Sequence, residues 1–291
     1  MKKGLTKPRL SGIISLLYYF KVLKHRMETI MKKILSLILA AVMLCTLLVS
    51  CGVGNSDLAT VKNNNKLVVG VTVYPPMDYI DEESGEWTGF DAELAQQFAE
   101  SLGVNCQIVI INWGNKVAEL NSNQIDLVWN GMTASEELGQ QIDFSVSYAK
   151  NAQVAVVKKG STLTADGVKD AKIAVENGSA GATVAAETIQ GKNINKVTAM
   201  VDALNEVLAG TSDVAIIDIT MAQSIVGKGT YADLQILDGA SYGDEIFAVG
   251  LRKGSDLKAE LDAFLKAKYA DGTMTALAEK YSVGLNTDAL K

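Results

Sequence analysis

The chain is nearly without histidine and poor in cysteine and proline, and each shortage closes off a class of function. Its single histidine, His25, lies in the N-terminal stretch. Serine–histidine or cysteine–histidine catalysis and histidine-ligated metals are then unavailable to the rest, so no catalytic residue, metal or cofactor is expected. Of three cysteines, Cys45 and Cys51 belong to an apolar N-terminal region and only Cys106 stands in the body. One internal cysteine makes no intramolecular disulfide. It reads as a small apolar filler, because no histidine or arginine lies near in sequence to lower its pKa. Beyond the N-terminus the only prolines are Pro75 and Pro76, which stiffen one turn. Positive charge is short as well. Residues 1–50 hold nine of the 27 Lys and Arg and one of the 33 Asp and Glu, so from residue 51 onward 18 basic residues face 32 acidic ones, a net of −14. Such a body repels phosphates and anionic lipid headgroups, which argues against a nucleic-acid partner.

What is present begins with an address. Met31-Lys32-Lys33 precedes an apolar run over residues 34–44 and then Leu48-Val49-Ser50-Cys51. A basic start, an apolar core and small residues before a cut site make a secretory signal over residues 31–50. The run is short for a membrane span. Leu48-Val49-Ser50-Cys51 resembles the bacterial lipobox, which implies cleavage before Cys51 and lipidation of its thiol. Palmitate-type acyl chains would then anchor the protein, each buried methylene contributing roughly 0.8 kcal/mol. An uncleaved anchor is the rival reading and leaves Cys51 without a role. Met31 alone would begin a normal signal, so residues 1–30 are read as a mis-called extension; a long basic n-region with an extra apolar patch over 13–20 is the alternative. Residues 51–65, rich in Gly, Asn, Ser and Lys, read as a flexible tether.

From residue 66 strands and helices alternate. Residues 66–73 are a β-branched run of strand length. Phe90, Leu94, Phe98 and Leu102 recur every four residues, one face of a helix that Gly103 stops. Strands follow at 106–111 and 125–129, with a short helix over 113–120 between them. The pattern restarts with strands at 171–175, 194–200 and 214–217 and helices at 180–190, 201–208 and 219–226. Strand-like segments at 152–158 and 245–251 separate the units. The expected fold is α/β with two lobes, 66–153 with 245–291 and 154–244, joined by a two-strand hinge. The last helices, carrying Leu257, Leu261, Phe264, Leu265 and Tyr269, then Leu277 and Tyr281, return to the first lobe.

Six ordered motifs run through this frame: Tyr74-Pro75-Pro76-Met77, Gly89-Phe90-Asp91-Ala92-Glu93-Leu94-Ala95, Asp126-Leu127-Val128-Trp129-Asn130-Gly131-Met132-Thr133, Asp143-Phe144-Ser145, Gly178-Ser179 and Asp213-Val214-Ala215-Ile216-Ile217-Asp218. Together they resemble the family 3 extracellular solute-binding proteins of polar amino-acid ABC transporters, over about residues 66–283. The resemblance implies a clamp of the type II periplasmic-binding-protein kind, shut around a small solute and working with a permease and an ATPase as an extracytoplasmic, lipid-anchored monomer. By position it makes Tyr74 and Trp113 apolar walls. Asn130, Gly131 and Thr133 lie at the first lobe's edge, where Gly131 NH and the Thr133 hydroxyl would meet a carboxylate. Gly178 and Ser179 would do the same from the second lobe, and Asp218 would accept an ammonium. Bland readings stand beside these: Trp113 as core, Thr133 as a helix cap, Tyr74 as packing. Asp218 ends four apolar strand residues, where an unpaired carboxylate is costly.

Two positions depart from the family pattern. Leu138 stands where an arginine usually forks onto the ligand's carboxylate, and Ala180 where a threonine is usual. Arg252 is the only arginine after the signal. Glu176, a neighbouring wall position, is acidic. A site with Asp218 and Glu176 but no arginine is expected to prefer a cationic or amine-bearing solute to a zwitterion. A sensory lipoprotein and a dehydratase working with carboxylates alone are the rival functions.

Overall fold

The computed structural model describes residues 56–291, with residues 26 and 27. The chain divides into two units, Met1–Asn55 and Ser56–Lys291, and the second carries both large sheets. Cys51, the signal segment and, apart from Arg26 and Met27, residues 1–30 lie outside the described residues. Among the described residues no helix is long and apolar enough to cross a membrane.

The stretch read as a tether is structured from Ser56. Residues Asp57–Asn63 form a helix, α1, whose first turn is capped by the Ser56 hydroxyl accepting from Ala59 N. Leu58 N donates to Asp256 at 2.9 Å, and Arg252 bridges Asp57 and Asp126 at 3.0 and 3.3 Å. The arginine also donates to the carbonyls of Leu120 and Ile125. The low apolar content of this stretch hid a helix that buries Val61 in the core and is further held by polar contacts to residues about 200 positions away.

The first sheet is built on β1 (Lys66–Val71), after which β2 (Tyr79–Ile80) and β3 (Trp87–Thr88) pair only with each other, and β1 runs parallel to β4 (Asn105–Ile110) and β5 (Leu127–Val128). Leu67, Val69 and Val71 are fully buried. The helix with the four-residue repeat, α2 (Phe90–Leu102), lies on this sheet and ends at Gly103 in the left-handed conformation, φ 73°. Burial of Phe90, Leu94 and Phe98 contributes roughly 1.5–3 kcal/mol each. Between β4 and β5 a 3₁₀ turn at Trp113–Asn115 runs into α3 (Lys116–Asn121). The sheet is completed by β12 (Gly250–Leu251), antiparallel to both β5 and the edge strand β6 (Asp143–Phe144). Two late helices return to this lobe, Leu257–Ala270 and Thr273–Tyr281, where the Tyr281 hydroxyl meets Thr88 Oγ1 at 2.9 Å.

The second sheet has β8 (Lys172–Glu176) between β9 (Asn193–Val197) and β10 (Val214–Asp218), all parallel. Against β10 runs β7 (Ala149–Lys158), antiparallel, and against β7 runs β11 (Leu234–Phe247). These two long strands are the hinge, paired from Lys158 and Leu234 to Ala149 and Phe247. The segment expected as one strand over 245–251 is two, because the chain leaves β11 at Phe247 and enters the first sheet at Gly250. The helix expected over 180–190 is an α turn, Ala180–Thr183, followed by a wider π segment, Val184–Thr188.

Candidate functional site

The carboxyl ends of β1 and β5 in the first lobe and of β8 and β10 in the second face one another. Tyr74, Trp113, Asn130, Gly131, Thr133, Glu176, Ser179, Ala180, Met200 and Asp218 enclose a cavity of about 20 Å³, room for one water. The lobes are closed on each other. Lys116 Nζ, in α3 of the first lobe, donates to Gly178 O of the second at 2.8 Å. A side-chain carbon on Gly178, whose φ is +73°, would come within 3.0 Å of Gly114 Cα. Entry of any solute therefore requires opening about the hinge.

Asp218 ends β10 and is 4% exposed. Its Oδ1 accepts from Asn151 Nδ2 at 3.0 Å and from Gln153 Nε2, and the Tyr74 hydroxyl lies beside it. Burial pushes its pKa up to about 7, reinforced by the charge of Glu245 and opposed by these donors. Glu176 ends β8 and is 3% exposed; its Oε1 has no hydrogen-bond partner among the described residues. Burial, then the charge of Asp218, raises its pKa to about 8, while Lys116 works against the shift. Lys116 is buried too and lowered to about 8 by desolvation; its Nζ lies 4.7 Å from the centre of the Trp113 ring.

Several expected roles are corrected by what the groups touch. Gly131 NH donates to Asp91 Oδ2 at 2.6 Å, so it is not turned to a solute. Gly131 has φ +55°, and a side-chain carbon there would sit 2.7 Å from the Tyr74 ring. The Asn130 amide is spent inside the first lobe, donating to Thr72 O and Asp78 and accepting from Thr72 N and Oγ1. Thr133 is no helix cap, since Ser135 caps the short helix that follows. Its hydroxyl donates to Glu245 Oε2 at 2.9 Å. The Ser179 hydroxyl accepts from Ala182 N at 3.1 Å and caps the α turn. Trp113 combines its two readings, packed with Ile111, Leu120 and Ile125 on one side and walling the cleft on the other. Leu138 lies against that same apolar cluster. Behind Gly131, Asp78 and Asp91 form a buried pair. Desolvation raises both, Asp91 to about 7.

Four functional candidates escaped the sequence reading: Lys116, Asn151, Gln153 and Glu245. Asn151 Nδ2 and Gln153 Nε2 each reach Asp218 and also Glu245 Oε2, at 2.8 and 3.0 Å for the latter. Their signal was alternation, two amides two residues apart on one face of an otherwise apolar strand. Arg252 is a structural staple and is not among the residues of the cleft lining. Cys106 is half-buried and its thiol is pushed up to about 12 by desolvation.

The family model described as bacterial extracellular solute-binding proteins, family 3, matches residues 67–284. The L-cystine-binding protein TcyJ of Escherichia coli K12 is 33% identical over 230 residues, covering 77% of this chain and 85% of that protein. The arginine-binding extracellular protein ArtP of Bacillus subtilis is 28% identical over 263 residues, 87% and 99% of the two chains. Among solved structures, an ABC uptake transporter substrate-binding protein from Streptococcus pneumoniae with bound histidine superimposes with a TM-score of 0.71 at 28% identity, covering 78% and 96%.

Proposed function

Because the chain belongs to the bacterial extracellular solute-binding proteins of family 3, we propose that it is the capture subunit of an ABC importer for a small, polar, amine-bearing solute. A permease and an ATPase would complete the importer. The Leu48-Val49-Ser50-Cys51 sequence supports anchoring through a lipid on Cys51, and a monomer is part of the same proposal.

One observation carries the ligand class. Asp218 and Glu176 line the closed cleft, the half-buried Glu245 lies behind Asp218, and among the described residues Lys116 is the cation whose charge acts on Glu176. Buried carboxylates stay ionised only where cations or donors meet them. An ammonium entering between Asp218 and Glu176 supplies that partner, and the walls of Tyr74 and Trp113 give its apolar stem a dry surface. Closure about β7 and β11 then traps it.

The test is a thermal-shift panel of organic amines, basic amino acids, glutamine and glutamate. A true ligand at one hundred times its Kd stabilises by about 2.7 kcal/mol. Shifts from amine-bearing cations support the reading; shifts from glutamine or glutamate alone defeat it. A turnover assay of the bound compound separates capture from dehydration chemistry.

A further inference from the structure

We infer that Glu245 is a built-in carboxylate filling the cleft's carboxylate cradle, so that the site selects organic cations that carry no carboxylate of their own. This rests on the amine-capture reading above and narrows it.

Three neutral donors converge on Glu245 Oε2: Thr133 Oγ1 at 2.9 Å, Asn151 Nδ2 at 2.8 Å and Gln153 Nε2 at 3.0 Å. They come from separate elements, Thr133 from the first lobe's edge and both amides from hinge strand β7. Asn151 is nearly and Gln153 fully buried. Three donors within 3.0 Å of one oxygen are the arrangement a ligand's carboxylate would need, and the chain's own side chain holds it. The same two amides bond Asp218, so Glu245 is tied to the ammonium acceptor through shared donors.

The surroundings exclude a second carboxylate. Leu138 lies in an apolar cluster and supplies no positive charge. Lys116 Nζ already donates to Trp113 O and Gly178 O, at 3.2 and 2.8 Å. A solute carboxylate would meet Asp218 and Glu176 in the cleft lining, with the half-buried Glu245 behind Asp218, and like charges in a dry site repel by several-fold more than in water. Glu176 points the same way, because its buried and unpartnered Oε1 is an acceptor waiting for a donor.

The experiment is titration calorimetry with matched pairs differing only in the carboxylate: agmatine and arginine, putrescine and ornithine, cadaverine and lysine. In the wild-type protein the amine of at least one pair is expected to bind ten-fold or more tightly than its parent amino acid. Glu245→Ala empties the cradle and is expected to cut that ratio at least ten-fold, by weakening the amine, strengthening the amino acid, or both. Should Glu245→Ala fail to fold, Glu245→Gln carries the test. It keeps an acceptor for the three donors but removes the charge, and is expected to lower the ratio several-fold. An amino acid that binds as tightly as its amine in the wild type overturns the inference while leaving amine capture intact. A ratio unmoved in a folded Glu245 variant also overturns it. If neither member of any pair binds, the underlying reading falls and takes this inference with it.

Discussion

At the scale of single residues, Asp218 concentrates the argument. Its carboxylate is held by two hinge amides in a dry setting, with Glu245 near by. Asp218→Asn keeps the shape and removes the charge, so a cationic solute is expected to bind at least a hundred-fold more weakly by calorimetry. The ligand-free melting temperature should hold or rise, since a buried charge without a counter-ion is itself destabilising. The same groups set the pH response. Asp218 rises to about 7 and Glu176 to about 8, from ordinary carboxylate values near 4, so the folded protein holds protons that the unfolded chain has released. Stability from these two is full below pH 4 and is lost as pH climbs through 7 to 8. Asp91, raised to about 7, adds in the same sense, while Lys116, lowered to about 8, reverses the slope above that pH. Ligand-free melting temperature is therefore expected to fall between pH 5 and 8, while affinity for a cation rises over the same interval. A flat melting profile would contradict these environments. Of the residues involved, Asp218 was legible as a carboxylate closing an apolar strand, and Glu176 only through the family resemblance, as an acid at a wall position. Glu245 and the two amides were not, because strand pairing brings together positions more than 90 apart that look like ordinary surface residues.

At the scale of elements, what the sequence displays is periodicity, and what it hides is polar docking. The four-residue repeat of α2 and the β-branched runs of β1 and β10 were plain, since burial demands them. Helix α1 was missed because its apolar face is only Leu58 and Val61, too short to show a period, and much of its docking is polar, to Arg252, Asp126 and Asp256. Arg252→Met should expose that dependence. It leaves two carboxylates and two carbonyls without their donor, and is expected to lower stability by about 2–4 kcal/mol in urea unfolding, with solute affinity kept within three-fold. Closure is a matter of elements too. Gly178 needs its left-handed conformation and passes close to Gly114 across the cleft. Gly178→Ala should therefore weaken binding ten-fold or more and enlarge the ligand-bound radius of gyration in solution scattering. The strain at one positive φ costs about 1 kcal/mol, so each lobe should still fold. A compact, tightly binding Gly178→Ala variant would mean that the lobes do not close along this contact.

For the whole molecule, two α/β units with an extended crossing beside each are legible in the restart of strand–helix alternation after residue 171, and the six motifs add the family resemblance that implies a clamp. The closed geometry was not readable, since it depends on which carbonyl Lys116 reaches across the gap. One apolar cluster nonetheless runs from Val61 and Leu67 through Phe247 to Val154, Leu204 and Ile217, so the hinge joins the two halves through core as well as backbone. Charge acts at this largest scale. The body carries −14 beyond residue 50, a count that includes the cleft acids Asp218 and Glu176. A field of that sign draws cations toward the cleft mouth and turns anions away. Salt screens it, with a Debye length of about 8 Å at physiological ionic strength and about 3 Å at 1 M. Association of a cationic solute, followed by stopped-flow tryptophan fluorescence from Trp113 in the cleft wall, is thus expected to slow several-fold between 0.01 and 0.5 M salt. Dissociation should change less, because it is set by opening of the dry, closed site where screening ions do not enter. An association rate indifferent to salt would mean that the acidic body does not steer its solute, and that the ligand is neutral or zwitterionic.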